Sequence, residues 1–167
     1  MQKVFLTFFY SGLFPKAPGT AGTIAGAVLG WLVLKILPVS ALFLLAVLVS
    51  IAAISVINKY EASTNTHDNS QIVIDEVVGI WLAMCISADF LAITGAQVGA
   101  VQVLLSVLFF RFFDIAKPSV IGRIDRNVKG GLGVMGDDIV AGIFAGIVSA
   151  GVWNLIKQFE IVQNYNF

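Results

Sequence analysis

Two apolar runs, Ala21–Leu37 and Val39–Ile57, stand end to end with only Pro38 between them. Each falls within the range of about 17–25 residues in which an apolar helix can cross a bilayer. Proline cannot continue the first helix, so the pair predicts a tight helical hairpin. A chain that opens this way must satisfy its backbone hydrogen bonds inside lipid, which favours helices for the remaining spans too. Composition agrees. Charged residues make up 12% of the chain, against about 25% in soluble domains, and the mean hydropathy is +0.93.

The other apolar runs complete an all-α, polytopic membrane protein of about five hydrophobic helices in a single domain, residues 1–167. The expected spans are about 21–37, 39–57, 72–88, 90–110 and 138–156, with Asn58–Gln71 as a polar loop and Arg111–Gly136 as a charged, glycine-rich segment. The third span is short and is interrupted by Asp75 and Glu76, so it is either tilted among its neighbours or re-entrant. With the N-terminus inside, Lys3, Lys16, Lys59, Arg111, Lys117, Arg123, Arg126 and Lys129 share the inner side. Only Lys35 and Lys157 fall outside, which satisfies the positive-inside rule. The opening MQKVFLTFFYSGLFPKAPGT lacks a small-x-small cleavage pattern and is expected to be retained. Ten basic and ten acidic residues leave no charge bias for nucleic acid, and the lone Cys85 excludes an internal disulfide.

The carboxylates carry the chemistry. Asp75-Glu76 interrupts IVIDEVVGIWLAM, and Asp137-Asp138 opens the last apolar run. A carboxylate costs about 2.5–3.5 kcal/mol at the centre of a spanning helix and less toward its end. Capping and the helix dipole explain one acid in a first turn, at up to about 1 kcal/mol. They explain two adjacent acids poorly, so a functional site is the stronger expectation. Such an oxygen-rich cluster suits a hard cation such as Mg²⁺. His67 is the sole histidine, which rules out a His-rich zinc site. It is expected as a loop residue, with general-acid chemistry as the alternative.

Arg111, Asp114 and Lys117 recur every three residues before Pro118 and share one helical face. They form either a solvated salt-bridge ladder or a phosphate clamp. The neighbouring Phe109, Phe110, Phe112 and Phe113 place them at a lipid boundary and favour the clamp. Lys16–Thr23 (KAPGTAGT) leads into a helix whose free N–H groups, with the threonine hydroxyls, suit an anion. Lys129–Gly133 is expected to turn tightly and aim Asp137 and Asp138 inward.

In order and spacing, PGTAGT (18–23), IVIDEVVGIWLAM (72–84), FFRFFDIAKP (109–118) and GGLGVMGDDIVAG (130–142) resemble the phosphatidylglycerophosphatase A family of bacterial membrane phosphatases. The resemblance implies Mg²⁺-dependent removal of the terminal phosphate of phosphatidylglycerophosphate, a phospholipid substrate, at the cytoplasmic face of the bacterial inner membrane. It also carries the family's acidic and basic motif positions onto Asp75, Glu76, Arg111, Asp114, Lys117, Asp137 and Asp138, with Thr20 and Thr23 beside them. The expected roles are metal binding by Asp75, Glu76, Asp137 and Asp138, and phosphate binding by Arg111, Lys117, Thr20 and Thr23. Asp75, Asp114 and Asp138 are the expected catalytic groups. Thr23 stands where the family tends to have Ser, Ser119-Val120 replaces a Pro- or aromatic-containing stretch, and Gly136 replaces a larger apolar residue; none of these removes a chemical group.

Other phosphatase designs are absent: there is no Cys-x5-Arg loop, no histidine pair and no Asp-x-Asp nucleophile motif. Two alternatives stay open, a phosphatase of another lipid phosphate such as phosphatidic acid, and a cation-binding transporter subunit. A cation pathway would spread acids through the depth of several spans, whereas here they gather at one boundary.

Overall fold

A computed structural model describes residues 2–64, 69–88 and 98–165, with side chains described through residue 159. His67 and Asp89 lie outside the described residues. Pro18, at the first position of its helix where its missing N–H costs nothing, starts α2 (Pro18–Ile36) after the short α1 (Gln2–Leu6). Pro38 separates α2 from α3 (Val39–Thr64) as the sequence predicts, and α4 (Ile74–Ser87), α5 (Ala100–Ala116), α6 (Val120–Asn127) and α7 (Gly130–Tyr165) follow. No strand occurs among the described residues.

Among the described residues, α2, α3 and α7 are long and apolar enough to cross a membrane. The described residues do not confirm the expected count of about five spans, for two reasons. α4 has 14 residues, which reach about 21 Å. α5 has 17 residues and begins at Ala100, whereas the expected span began at Phe90; residues 89–97 lie outside the described part.

α4 is the core. Eleven of its 14 residues are buried, including Val77, Val78, Ile80, Trp81 and Met84, because α2, α3, α5 and α7 all pack against it. A helix apolar on every side is expected to be surrounded, and α4's shortness is tolerated because protein, rather than lipid, packs around it. Glycines permit the close approach. A Cβ at Gly22 would meet Val73, one at Gly26 would meet Val77 and Ile80, and one at Gly30 would meet Trp81. The Trp81 indole donates to the Gly26 carbonyl at 2.8 Å.

The outside is inverted relative to a soluble protein. On α2, Ile24, Val28 and Leu32 form an exposed i, i+4 row, and on α5 Leu104, Leu108 and Phe112 do the same, with Ile115 exposed one turn beyond. Contiguous apolar surface of this kind marks lipid contact. At the far ends of α2 and α7, Lys35 lies 4.9 Å from the Trp31 ring and Lys157 lies 6.0 Å from the Trp153 ring, the pairing of aromatic and cation that suits a membrane interface.

Two boundaries differ from the expected ones. α3 runs on through Asn58–Thr64, and α7 begins at Gly130, so most of Lys129–Gly133, expected as a tight turn, is helix. These glycines serve packing: a Cβ at Gly131 would meet the Ile54 backbone. Only Gly130, at φ +70°, needs the left-handed region. The Asn58 side-chain oxygen accepts from the Gly131 N–H at 2.7 Å, capping α7 from α3.

Candidate active site

α2, α4 and α7 begin, and α3 and α5 finish, at the same end of the bundle, around a cavity of about 890 Å³. That is the size of a site for a whole small molecule rather than one ion. Its wall holds the α2 entry (Lys16–Thr20), Asp75 and Glu76 from α4's first turn, Arg111 and Asp114 from α5's last turns, and Asp137 and Asp138 from α7. Four segments distant in sequence thus converge on one cavity.

Asp75, Glu76 and Asp138 form the centre, each offering a carboxylate oxygen within 4.8 Å of the others. Asp75 Oδ1 and Glu76 Oε2 are buried without a hydrogen-bond partner. Buried polar atoms normally have partners, and like charges at this spacing repel by several kcal/mol. Hard oxygen donors, crowded, buried and unpartnered, fit a divalent cation such as Mg²⁺.

Asp137 is placed differently from its neighbour. Successive helix residues do not face one point, and Asp137 Oδ2 accepts from Lys117 Nζ at 2.7 Å. Lys117 caps α5 in the left-handed conformation, at φ +41°, which turns its side chain off the α5 face and onto α6 and α7. There it also donates to Asp125 Oδ1 at 2.5 Å. Partial burial pushes the Lys117 ammonium toward lower pKa, but its bonds to Asp125 and Asp137 outweigh this and hold it above the ordinary lysine value. Arg111 pairs with Asp114 through Nη1 and keeps a buried Nε without a partner. The expected three-residue ladder therefore splits into an Arg111–Asp114 pair and a Lys117 clamp between helices.

Thr20 lines the cavity. Thr23 is fully buried and donates to the Gly19 carbonyl one turn below at 2.8 Å, so it does not join the wall. Gly19 is there for contact: a Cβ would collide with Glu76 Oε1 and lie 3.3 Å from Arg111 Nη1. The wall also holds Glu61, Asn69, Asp125, Arg126 and Lys129, none of which the sequence marked as a site residue; Arg126 and Lys129 entered it only as inner-side charge and as the start of a turn. Glu61 was hidden in a stretch that reads as loop, and Asp125 and Arg126 in a short polar helix.

A family model described as Phosphatidylglycerophosphatase A matches residues 4–153. The chain belongs to the phosphatidylglycerophosphatase A family. The chain is 36% identical over 143 residues to the phosphatidylglycerophosphatase A of Haemophilus influenzae, covering 84% of this chain and 81% of that protein. To the Escherichia coli phosphatidylglycerophosphatase A it is 35% identical over 144 residues, covering 86% and 76%. A Bacteroides thetaiotaomicron protein named "Putative phosphatidylinositol-3-phosphatase" is 38% identical over 149 residues, covering 86% and 88%. No solved structure matches the chain significantly. Family membership bears out the resemblance carried by the four motifs, and the motif acids and bases are the residues that meet at the cavity.

Proposed function

We propose that the protein is a Mg²⁺-dependent lipid phosphatase that hydrolyses the terminal phosphomonoester of phosphatidylglycerophosphate, giving phosphatidylglycerol and phosphate. The observation that carries this is the Asp75, Glu76 and Asp138 trio with its two buried, unpartnered oxygens, on the wall of a headgroup-sized cavity in a family named for the reaction.

Asp75, Glu76 and Asp138 would hold the ion, which when bound supplies Lewis acidity and offsets phosphate charge. Arg111 offers its free Nε–H to a phosphate oxygen while Asp114 fixes the guanidinium plane, so Asp114 acts by orienting Arg111. Lys117 positions Asp137 and Asp125 and thereby the α7 entry that carries Asp138. Thr20 and the first N–H groups of α2 face the cavity as neutral donors. The basic residues of the cavity end, with Lys35 and Lys157 at the other, favour a cytoplasmic site in a bacterial inner membrane.

The name of the Bacteroides relative supports a second reading, the same hydrolysis on another phosphorylated lipid. Phosphatidylglycerophosphate and phosphatidylinositol 3-phosphate share one unit of chemistry. In each, a phosphodiester and a phosphomonoester sit on polyol carbons separated by a single hydroxyl-bearing carbon. Phosphate release by detergent-purified protein from these two lipids and from phosphatidic acid, with Mg²⁺ or with EDTA, tests both readings. Metal-dependent release that favours phosphatidylglycerophosphate is the expected result. Preference for the inositol lipid would reassign the substrate, and no release from any of the three by folded protein would refute the phosphatase.

A further inference from the structure

We propose that the cavity contains a second anion subsite, formed by Lys16, Arg126 and Lys129, that binds the phosphodiester of a lipid whose phosphomonoester lies at the carboxylate trio. It rests on the phosphatase function proposed above and narrows the substrate class to lipids carrying both groups.

The allocation of cations leads there. Five cations line the cavity against seven carboxylates, so an anion entering it needs positive groups not already committed. Arg111 and Lys117 are engaged by Asp114, Asp125 and Asp137. Lys16, Arg126 and Lys129 form no ion pair among the described residues. They come from three separate segments, the link before α2, the helix α6 and the link into α7, and still face one cavity. All three are exposed, as Arg123 is on the same helix as Arg126, and what sets them apart is position: Lys16, Arg126 and Lys129 line the cavity and Arg123 does not.

Size agrees. A cavity of about 890 Å³ exceeds what one phosphomonoester fills and suits a whole headgroup. A doubly charged monoester beside the trio leaves the singly charged diester to be matched elsewhere, and flexible lysines with an arginine fork are suited to it. Phosphatidic acid has no diester, so it would use the trio without the subsite and be the poorer substrate.

The test compares wild type with the triple variant Lys16→Gln, Arg126→Gln, Lys129→Gln, as full chains in neutral detergent micelles. The ratio of kcat/KM for phosphatidylglycerophosphate over phosphatidic acid should fall about tenfold or more in the variant, chiefly through KM, as expected for losing charge-assisted contacts. An unchanged ratio, including equal losses on both lipids, would overturn the subsite. A second arm needs no turnover: phosphorus NMR line broadening of glycerophosphoglycerol, a diester without a monoester, in EDTA. Broadening by wild type that vanishes in the folded variant supports the subsite even if neither lipid is hydrolysed, which would remove the phosphatase function alone. Hydrolysis without any effect of the variant on ratio or broadening keeps the phosphatase and removes the subsite.

Discussion

Asp138 is 3% exposed and shares its carboxylate cluster with Asp75 and Glu76, so its charge opposes folding unless a cation such as the proposed Mg²⁺ offsets it. Asp138→Asn should therefore separate activity from stability. Phosphate release should fall by more than about a hundredfold, beyond the usual cost of losing an outer-shell partner, while the Tm in EDTA stays level or rises. Wild type at 100 times its metal Kd should gain about 2.7 kcal/mol from Mg²⁺, and Asp138→Asn should lose that gain. A variant that keeps the Mg²⁺ shift in a thermal melt would take Asp138 out of the metal site. Gly19→Ala asks a different question, since its methyl would press on Glu76 and Arg111. Alanine in a helix is favoured over glycine by up to about 1 kcal/mol, so activity should drop with little change in Tm; a matching drop in Tm would mean that packing, not the site, is disturbed. Lys117→Met removes both bonds of the clamp and should cost about 1–3 kcal/mol. The sign of the linkage is fixed by the raised pKa: this stability is fully present below the unfolded lysine pKa of about 10.4 and is lost only as pH rises through the higher folded value. Chemical denaturation should accordingly show the same wild-type-to-variant difference at pH 6 and pH 9. The acidic pairs were legible in the sequence because acids beside hydrocarbon are costly. Their division of labour was not. It depends on the helical phase of Asp137 and Asp138, which the glycine-rich run Lys129–Gly133, read as a turn, concealed.

At the scale of elements, α4 sets the geometry by lying inside the others. Its crossing with α7 is made by backbone: a Cβ at Gly142 would overlap the Gly79 carbonyl, and one at Gly79 would meet Phe110 and the Asp138 carbonyl. The Gly79–Gly142 contact therefore fixes how Asp138 stands relative to Asp75 and Glu76, one turn away on α4. Gly142→Leu should destabilise by about 3 kcal/mol or more through overpacking and abolish the site together with the fold, measured as a lowered Tm in detergent; a near-normal Tm would show that the helices can separate there at little cost. The helical hairpin at Pro38 and the end of α5 before Pro118 were legible because proline acts locally. The ends of α3 and α7 were not. Asn58 reads as the start of a loop, yet it continues α3 and caps α7 through a contact 73 residues away, and no local propensity encodes that.

At the scale of the whole molecule, orientation is the property on which the proposed function most depends, since the site must face the leaflet that presents its lipid. The charge pattern favours a cytoplasmic site, and the hairpin at Pro38 then faces the periplasm. Cys85 is the only cysteine in the chain and is buried, so a Cys85→Ala background gives clean single-cysteine reporters. Ser40, in the first turn of α3, and Arg123, on α6, are both exposed and stand at opposite ends of the bundle. In spheroplasts, a membrane-impermeant maleimide should label Ser40→Cys and leave Arg123→Cys unlabelled until the membrane is lysed. The reverse pattern would put the cavity on the periplasmic side, against the positive-inside rule, and would mean that the basic residues of the cavity serve the substrate rather than the topology. Labelling of both in intact spheroplasts would mean that the two ends are not separated by a bilayer at all, and α2 and α3 would then have to lie against the membrane instead of crossing it.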